Sequence, residues 1–148
     1  MSVQASTIIR DVLYTIKNDL RNNITDPIQS SRTPISGFIM TSYPQRVVQY
    51  PLITIKLTNA SATRAGMQTS AMDYVINLEI RIWARNQKEK DELFTAVLER
   101  LRNIQFSVGG TVDADIHEFS ALSGVEIDEE GKGKPKSRIL EVQYRFYN

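Results

Sequence analysis

The stretch Asp73-Tyr-Val-Ile-Asn-Leu-Glu-Ile-Arg-Ile-Trp-Ala-Arg-Asn86, followed by Gln87-Lys-Glu-Lys-Asp-Glu-Leu-Phe-Thr-Ala-Val-Leu-Glu-Arg-Leu-Arg-Asn-Ile104, decides the fold. Its first half alternates. Tyr74, Ile76, Leu78, Ile80, Ile82 and Ala84 share one face, and Val75, Asn77, Glu79, Arg81, Trp83 and Arg85 the other. A period of two is a strand with one buried and one wetter face. The second half changes period: Leu93, Phe94, Val97, Leu98, Leu101 and Ile104 recur at three- and four-residue steps, one stripe of a helix. Asn86 at the junction, with Glu89 three residues on, reads as a variant of the capping box, in which the Asn side chain accepts from a first-turn amide and the Glu reaches back.

Upstream, residues 5–23 predict a first helix with the stripe Ile8, Ile9, Val12, Leu13, Ile16 and Leu20 and a cap at Ser6. That stripe reads as core packing, with part of it available to a neighbouring subunit. Residues 22–34 are rich in Asn, Thr, Asp, Ser and Pro and read as a loop. Residues 37–41 form a short apolar run, and Leu52 to Leu57 alternate as a strand. Tyr43-Pro44 and Tyr50-Pro51 confine the segment between them to an edge or a loop. Residues 59–72 are small and polar, and predict a long connection between two strands. Such a connection is either a plain surface loop or an arm that orders on a partner, with Met67 and Met72 as adaptable contacts and Arg64 and Gln68 beside them.

Downstream, Gly109-Gly110 marks a turn, and residues 117–127 predict a strand bent or bulged at Gly124. Residues 128–136 form a charged Gly/Pro-rich hairpin tip, acidic on entry and basic on exit through Lys132, Lys134 and Lys136. Residues 137–147 are the last strand, with Leu140, Val142, Tyr144 and Phe146 on its apolar face. The predicted class is α+β: a two-layer domain of residues 1–148, order α-β-β-β-α-β-β, with a mostly antiparallel sheet and both helices on one face.

Composition narrows function mainly by exclusion. The 148-residue chain has no cysteine, so disulfides, Cys-ligated metal and a Cys nucleophile are out. With 18 basic and 17 acidic residues its net charge is +1, unlike a dedicated nucleic-acid binder and compatible with self-association. No secretory signal or membrane-spanning run is expected. The single histidine, His117, has Asp113, Asp115 and Glu118 near it in sequence, and reads as a solvated residue rather than a catalytic or metal centre. Gly131-Lys132-Gly133-Lys134 lacks the Ser or Thr and the strand-to-helix setting of a phosphate loop. No cofactor is expected. Trp83 beside Arg81 and Arg85 has an interface composition, or else marks a second sheet face covered within the monomer.

The Tyr43-Pro-Gln-Arg…Tyr50-Pro-Leu-Ile-Thr-Ile55 segment, the Val75-to-Ala84 strand and the helix opened by Lys88-Glu-Lys-Asp-Glu-Leu-Phe94 together resemble the tail terminator and tail completion proteins of long-tailed viruses. The resemblance runs in element order from about Ser6 to Phe146. It implies a non-enzymatic protein of the virion tail or neck, assembled in the host cytoplasm. Such a protein forms a ring, commonly hexameric, on the head-proximal end of the tail tube. It ends tube polymerisation and docks the head connector. Its partners are its own copies, the tube protein and the connector, with DNA merely passing through the lumen. Head-closure and connector adaptors of the neck are similar, and a non-viral adaptor working by strand addition is the alternative outside viruses.

Overall fold

The computed structural model describes residues 2–3, 7–28, 31, 37–41, 49–64, 66–67, 72–104, 107–108, 111–112, 117–127 and 136–147. In chain order the elements are β1 (Ser2–Val3), α1 (Ile8–Asn23), β2 (Ile39–Met40), β3 (Leu52–Arg64), β4 (Met72–Ala84), α2 (Gln87–Asn103), β5 (Ser107–Val108), β6 (Thr111–Val112), β7 (His117–Ile127) and β8 (Lys136–Tyr147). Setting aside the two-residue strands β1, β5 and β6, which pair with one another in a small sheet, the order follows the predicted one.

The alternation in β4 is expressed as burial. Ile76, Leu78, Ile80, Ile82 and Ala84 are fully buried, and every residue between them is partly exposed. β4 is the middle strand of a five-stranded sheet ordered β2-β3-β4-β8-β7, antiparallel except for the β2–β3 pair. Both helices lie on its apolar face. Val12, Ile16 and Leu20 of α1 and Leu93, Val97 and Leu101 of α2 share one core with Ile53 and Ile55 of β3, the β4 isoleucines, and Leu140, Val142, Tyr144 and Phe146 of β8. Apolar surface removed from water at about 25 cal/mol per Å2 drives this two-layer arrangement.

Two tertiary links orient the helices. The Tyr144 hydroxyl donates to the Leu101 carbonyl at 3.1 Å, satisfying one of the carbonyls a helix leaves open at its C-terminus. Arg100 of α2 makes a paired contact with Asp19 of α1, Nε to Oδ1 at 2.9 Å and Nη2 to Oδ2 at 2.8 Å. At the start of α2 the Asn86 side chain accepts from the Glu89 amide at 2.9 Å, as predicted. The Glu89 carboxylate reaches back to the amide of Arg85 at 3.1 Å. It also grips the Arg85 guanidinium, so the strand-to-helix corner is closed from both sides.

Four expectations change. First, residues 59–72 are not one long loop: β3 continues to Arg64 and pairs with β4 as far as Met72, with a register shift around Thr58. Residues 58–64 are exposed on both faces, so no buried side imposes an alternating pattern, and the backbone ladder alone makes the strand. Second, α1 begins at Ile8 with Thr7 at the cap; Thr7 Oγ1 donates to Asp11 Oδ2 at 2.6 Å and caps no amide. Ser6, the predicted cap, lies outside the described residues. Third, the bulge in β7 falls at Ser120, between Phe119 and Ala121, while Gly124 stays in register opposite Leu140. Fourth, the apolar stripe of α1 is wider than its buried face. Val12, Ile16 and Leu20 are inaccessible to solvent, whereas Ile9 is 41% exposed. The Pro-bounded segment 42–48, the Gly109-Gly110 turn and the tip at 128–135 lie outside the described residues.

Candidate interaction surfaces

Three surfaces stand out, each placed by the sheet. The first is the β3–β4 hairpin. β2 pairs with β3 only at Ile39↔Ile53 and Met40↔Thr54. From Ile55 to Arg64 the outer edge of β3 therefore has no strand neighbour among the described residues. Arg64 is exposed at the end of β3, opposite half-buried Met72. Met67 stands in the turn beyond, 97% exposed. Gln68 lies outside the described residues. The hairpin is a projecting arm, with an open backbone edge and one apolar side chain near its tip.

The second surface is the sheet face away from the helices. At one end Trp83 is half-buried among groups of its own chain. The Arg81 guanidinium lies 3.8 Å from its ring centre, and the Tyr50 ring packs at 6.5 Å. Buried Leu52 and Ser137 flank it on the neighbouring strands, and Arg81 Nη2 donates to Ser137 Oγ at 3.2 Å. Intramolecular cover thus accounts for an apolar residue on the wetter side. Arg85, next along, is bound to Glu89, and this hydrogen bond holds its guanidinium above its ordinary pKa. At the other end Arg145 pairs with Asp73 at 2.7 Å, and Gln143 donates to Asn77 at 3.0 Å. Between these ends Glu79 lies directly opposite Glu141, with Lys56 on the other side of Glu79. Neither carboxylate has an ion pair or side-chain hydrogen bond among the described residues. Like charges directly opposite on a sheet repel. No sequence pattern signals this pair, because residues 62 apart meet only through the β4–β8 register.

The third surface is the outer side of α1. Ile9, Leu13, Tyr14 and Thr41 border a groove of about 600 Å3. Tyr14 is 44% exposed, with the Lys17 ammonium 6.0 Å from its ring centre. An over-wide apolar stripe was the signal for this face.

The remaining candidates stay apart from these. Lys132 and Lys134 lie outside the described residues; Lys136 opens β8 opposite Ala84. His117 is in β7 opposite Phe146, and Asp113 and Asp115 lie outside the described residues. Among the described residues no three His, Cys, Asp or Glu side chains gather where a metal could bind, and no helix is long and apolar enough to cross a membrane.

These features define a two-layer α+β protein. No family model and no curated protein matches the sequence. Among solved structures the chain is similar to a component described as "virion of native gene transfer agent (GTA) particle". The TM-score is 0.53 at 10% identity, over 97% of this chain and 100% of that one, a likeness of fold. A second structure, with 14% identity over 90% of this chain and 94% of the other, has a TM-score of 0.43, too low to carry an argument.

Proposed function

We propose that this chain is a non-enzymatic structural protein of a virion. It forms a ring, hexameric by family resemblance, at the head-proximal end of a tail tube. There it ends tube polymerisation and joins the tail to the head connector or neighbouring neck protein. The observation that carries this reading is the fold shared, end to end, with a component of a gene transfer agent virion. The architecture supports it physically. Surfaces on opposite sides of one subunit give heterologous contacts, and such contacts that close make rings. In this reading Arg64, Met67, Gln68 and Met72 of the hairpin arm reach the adjacent subunit or the tube, and Arg81, Trp83 and Arg85 stiffen the rim of the sheet. Lys132, Lys134 and Lys136 serve the opposite ring face or the lumen, through which DNA passes without being read. An interface stable without the tube needs about 1,000 Å2 or more of buried surface.

The test is the mass and shape of the purified protein by light scattering and negative-stain imaging, with and without tail tubes. Rings, alone or capping one tube end, are expected. Deleting residues 62–70 is expected to leave the core folded and abolish ring or tube binding; normal assembly by that variant removes the arm from the interface. A second reading, an adaptor that takes up an extended peptide, is favoured by the open β3 edge from Ile55 to Arg64. A monomer that ignores tubes and binds one linear peptide tightly would establish it instead.

A further inference from the structure

The outer side of α1 carries one sign of charge. Arg10, Tyr14, Lys17 and Arg21 follow one another at four-, three- and four-residue steps and form a single outward stripe. The two acids of this helix are engaged within the chain. Asp11 is buried, 4% exposed, accepts from Thr7 Oγ1 and takes a 3.4 Å contact from the Arg10 guanidinium, while Asp19 is held by Arg100. The Arg10 side chain is 65% exposed, and half-exposed Tyr14 and Ile9 add apolar surface beside it. On the far side of the subunit the sheet face away from the helices carries Glu79 and Glu141 side by side, with half-buried Ile139 next to them. One face is cationic and aromatic, and the other has two adjacent carboxylates with Lys56 beside only one of them, neither in an ion pair among the described residues.

We propose that the Arg10–Tyr14–Lys17 stripe of α1 packs on the open sheet face of the next copy of this chain, its two cations meeting Glu79 and Glu141. This rests on the ring reading above and names the contact that builds it. The two faces point in opposite directions, so each copy offers its helix to one neighbour and its sheet to the other, the head-to-tail relation that a ring requires. The Glu79–Glu141 repulsion, unfavourable in an isolated sheet, is relieved when a neighbour supplies cations. Lys56, beside Glu79, leaves the second carboxylate without compensation. Charge complementarity of this kind fixes register and rejects wrong partners, and Tyr14 supplies the aromatic anchor common at interface centres.

The test is a charge exchange in the full chain. Arg10→Glu with Lys17→Glu reverses the helix side, and Glu79→Lys with Glu141→Lys reverses the sheet side. Each reversal is expected to raise the concentration for half-assembly at least about tenfold, since like charges across an interface cost several kcal/mol. The chain carrying all four substitutions is expected to regain assembly. A second measurement uses the absence of cysteine. A Lys17→Cys chain mixed with a Glu141→Cys chain is expected to give the mixed disulfide dimer under mild oxidation. Rings that form normally in either reversed chain, or no mixed disulfide in a preparation of rings, overturn this contact and leave the ring reading standing. A wild-type chain that forms no ring, alone or on tubes, overturns both.

Discussion

The Arg81 guanidinium stacks on the face of Trp83 at 3.8 Å, and the same guanidinium crosses to β8 to reach the Ser137 hydroxyl. Two neighbouring strands are thereby clamped at the end of the sheet where the chain turns into α2. The contact also makes the single tryptophan a reporter of that corner.

Replacing Arg81 with Met keeps the aliphatic bulk and removes the cation. A loss of about 0.5–1 kcal/mol is expected from the stacking contact. Denaturant titration gives the stability, and Trp83 emission is expected to change, because its nearest charged neighbour has gone.

Tyr144→Phe removes the donor to the Leu101 carbonyl. The expected cost is about 0.5–1.5 kcal/mol, the range for one net hydrogen bond. Burial, with the negative charge of Asp19 adding to it, pushes the Tyr144 phenol above its ordinary pKa. The unfolded chain therefore gives up this proton first as pH rises. The associated stability is intact below about pH 10, the ordinary tyrosine value, and falls as pH climbs from there towards the folded value. Unfolding curves between neutral pH and pH 11 are expected to slope downward at the alkaline end, less steeply in Tyr144→Phe.

Thr15 is buried in α1, 8% exposed, and its hydroxyl has no hydrogen-bond partner among the described residues. Thr15→Val keeps the shape and removes the unsatisfied group. A gain of up to about 1 kcal/mol is expected by thermal or chemical denaturation. A loss would show that the hydroxyl is hydrogen-bonded in solution.

Asn86→Ala leaves the Glu89 amide without its acceptor at the start of α2. A cost of about 1 kcal/mol is expected for a lost N-cap. Asn86→Asp is expected to restore it, because a carboxylate in the same place accepts the same hydrogen bond and favours the positive end of the helix.

Much of the fold is legible because burial leaves a periodic trace. Ile76, Leu78, Ile80 and Ile82 announce β4, and Leu93, Val97 and Leu101 announce α2. The outer half of β3 leaves no such trace: Thr58 to Arg64 touch solvent on both sides, and their side chains carry no record of the ladder that orders them. The bulge in β7 is at Ser120 because the registers of two strands must be reconciled there, and Gly124 only had the composition for it. The candidate surfaces divide likewise. The exposure of Met67 was readable from the small, polar residues around it, whereas the strand pairing that carries it was not. The α1 stripe was half-readable, since its apolar positions outnumber those a sheet can cover.

The sequence by itself determined the layers: the buried parts of the strands, the two helices, and which faces meet in the core, because local periodicity and the need to bury apolar surface act residue by residue. Only the tertiary structure decided which distant groups became neighbours. Strand register set Glu79 against Glu141, the β4–β8 pairing gave Arg81 its partner in Ser137, and the packing of α1 on the sheet left Ile9 of the apolar stripe exposed. These pairings depend on how whole elements align, and no short stretch of chain encodes that alignment.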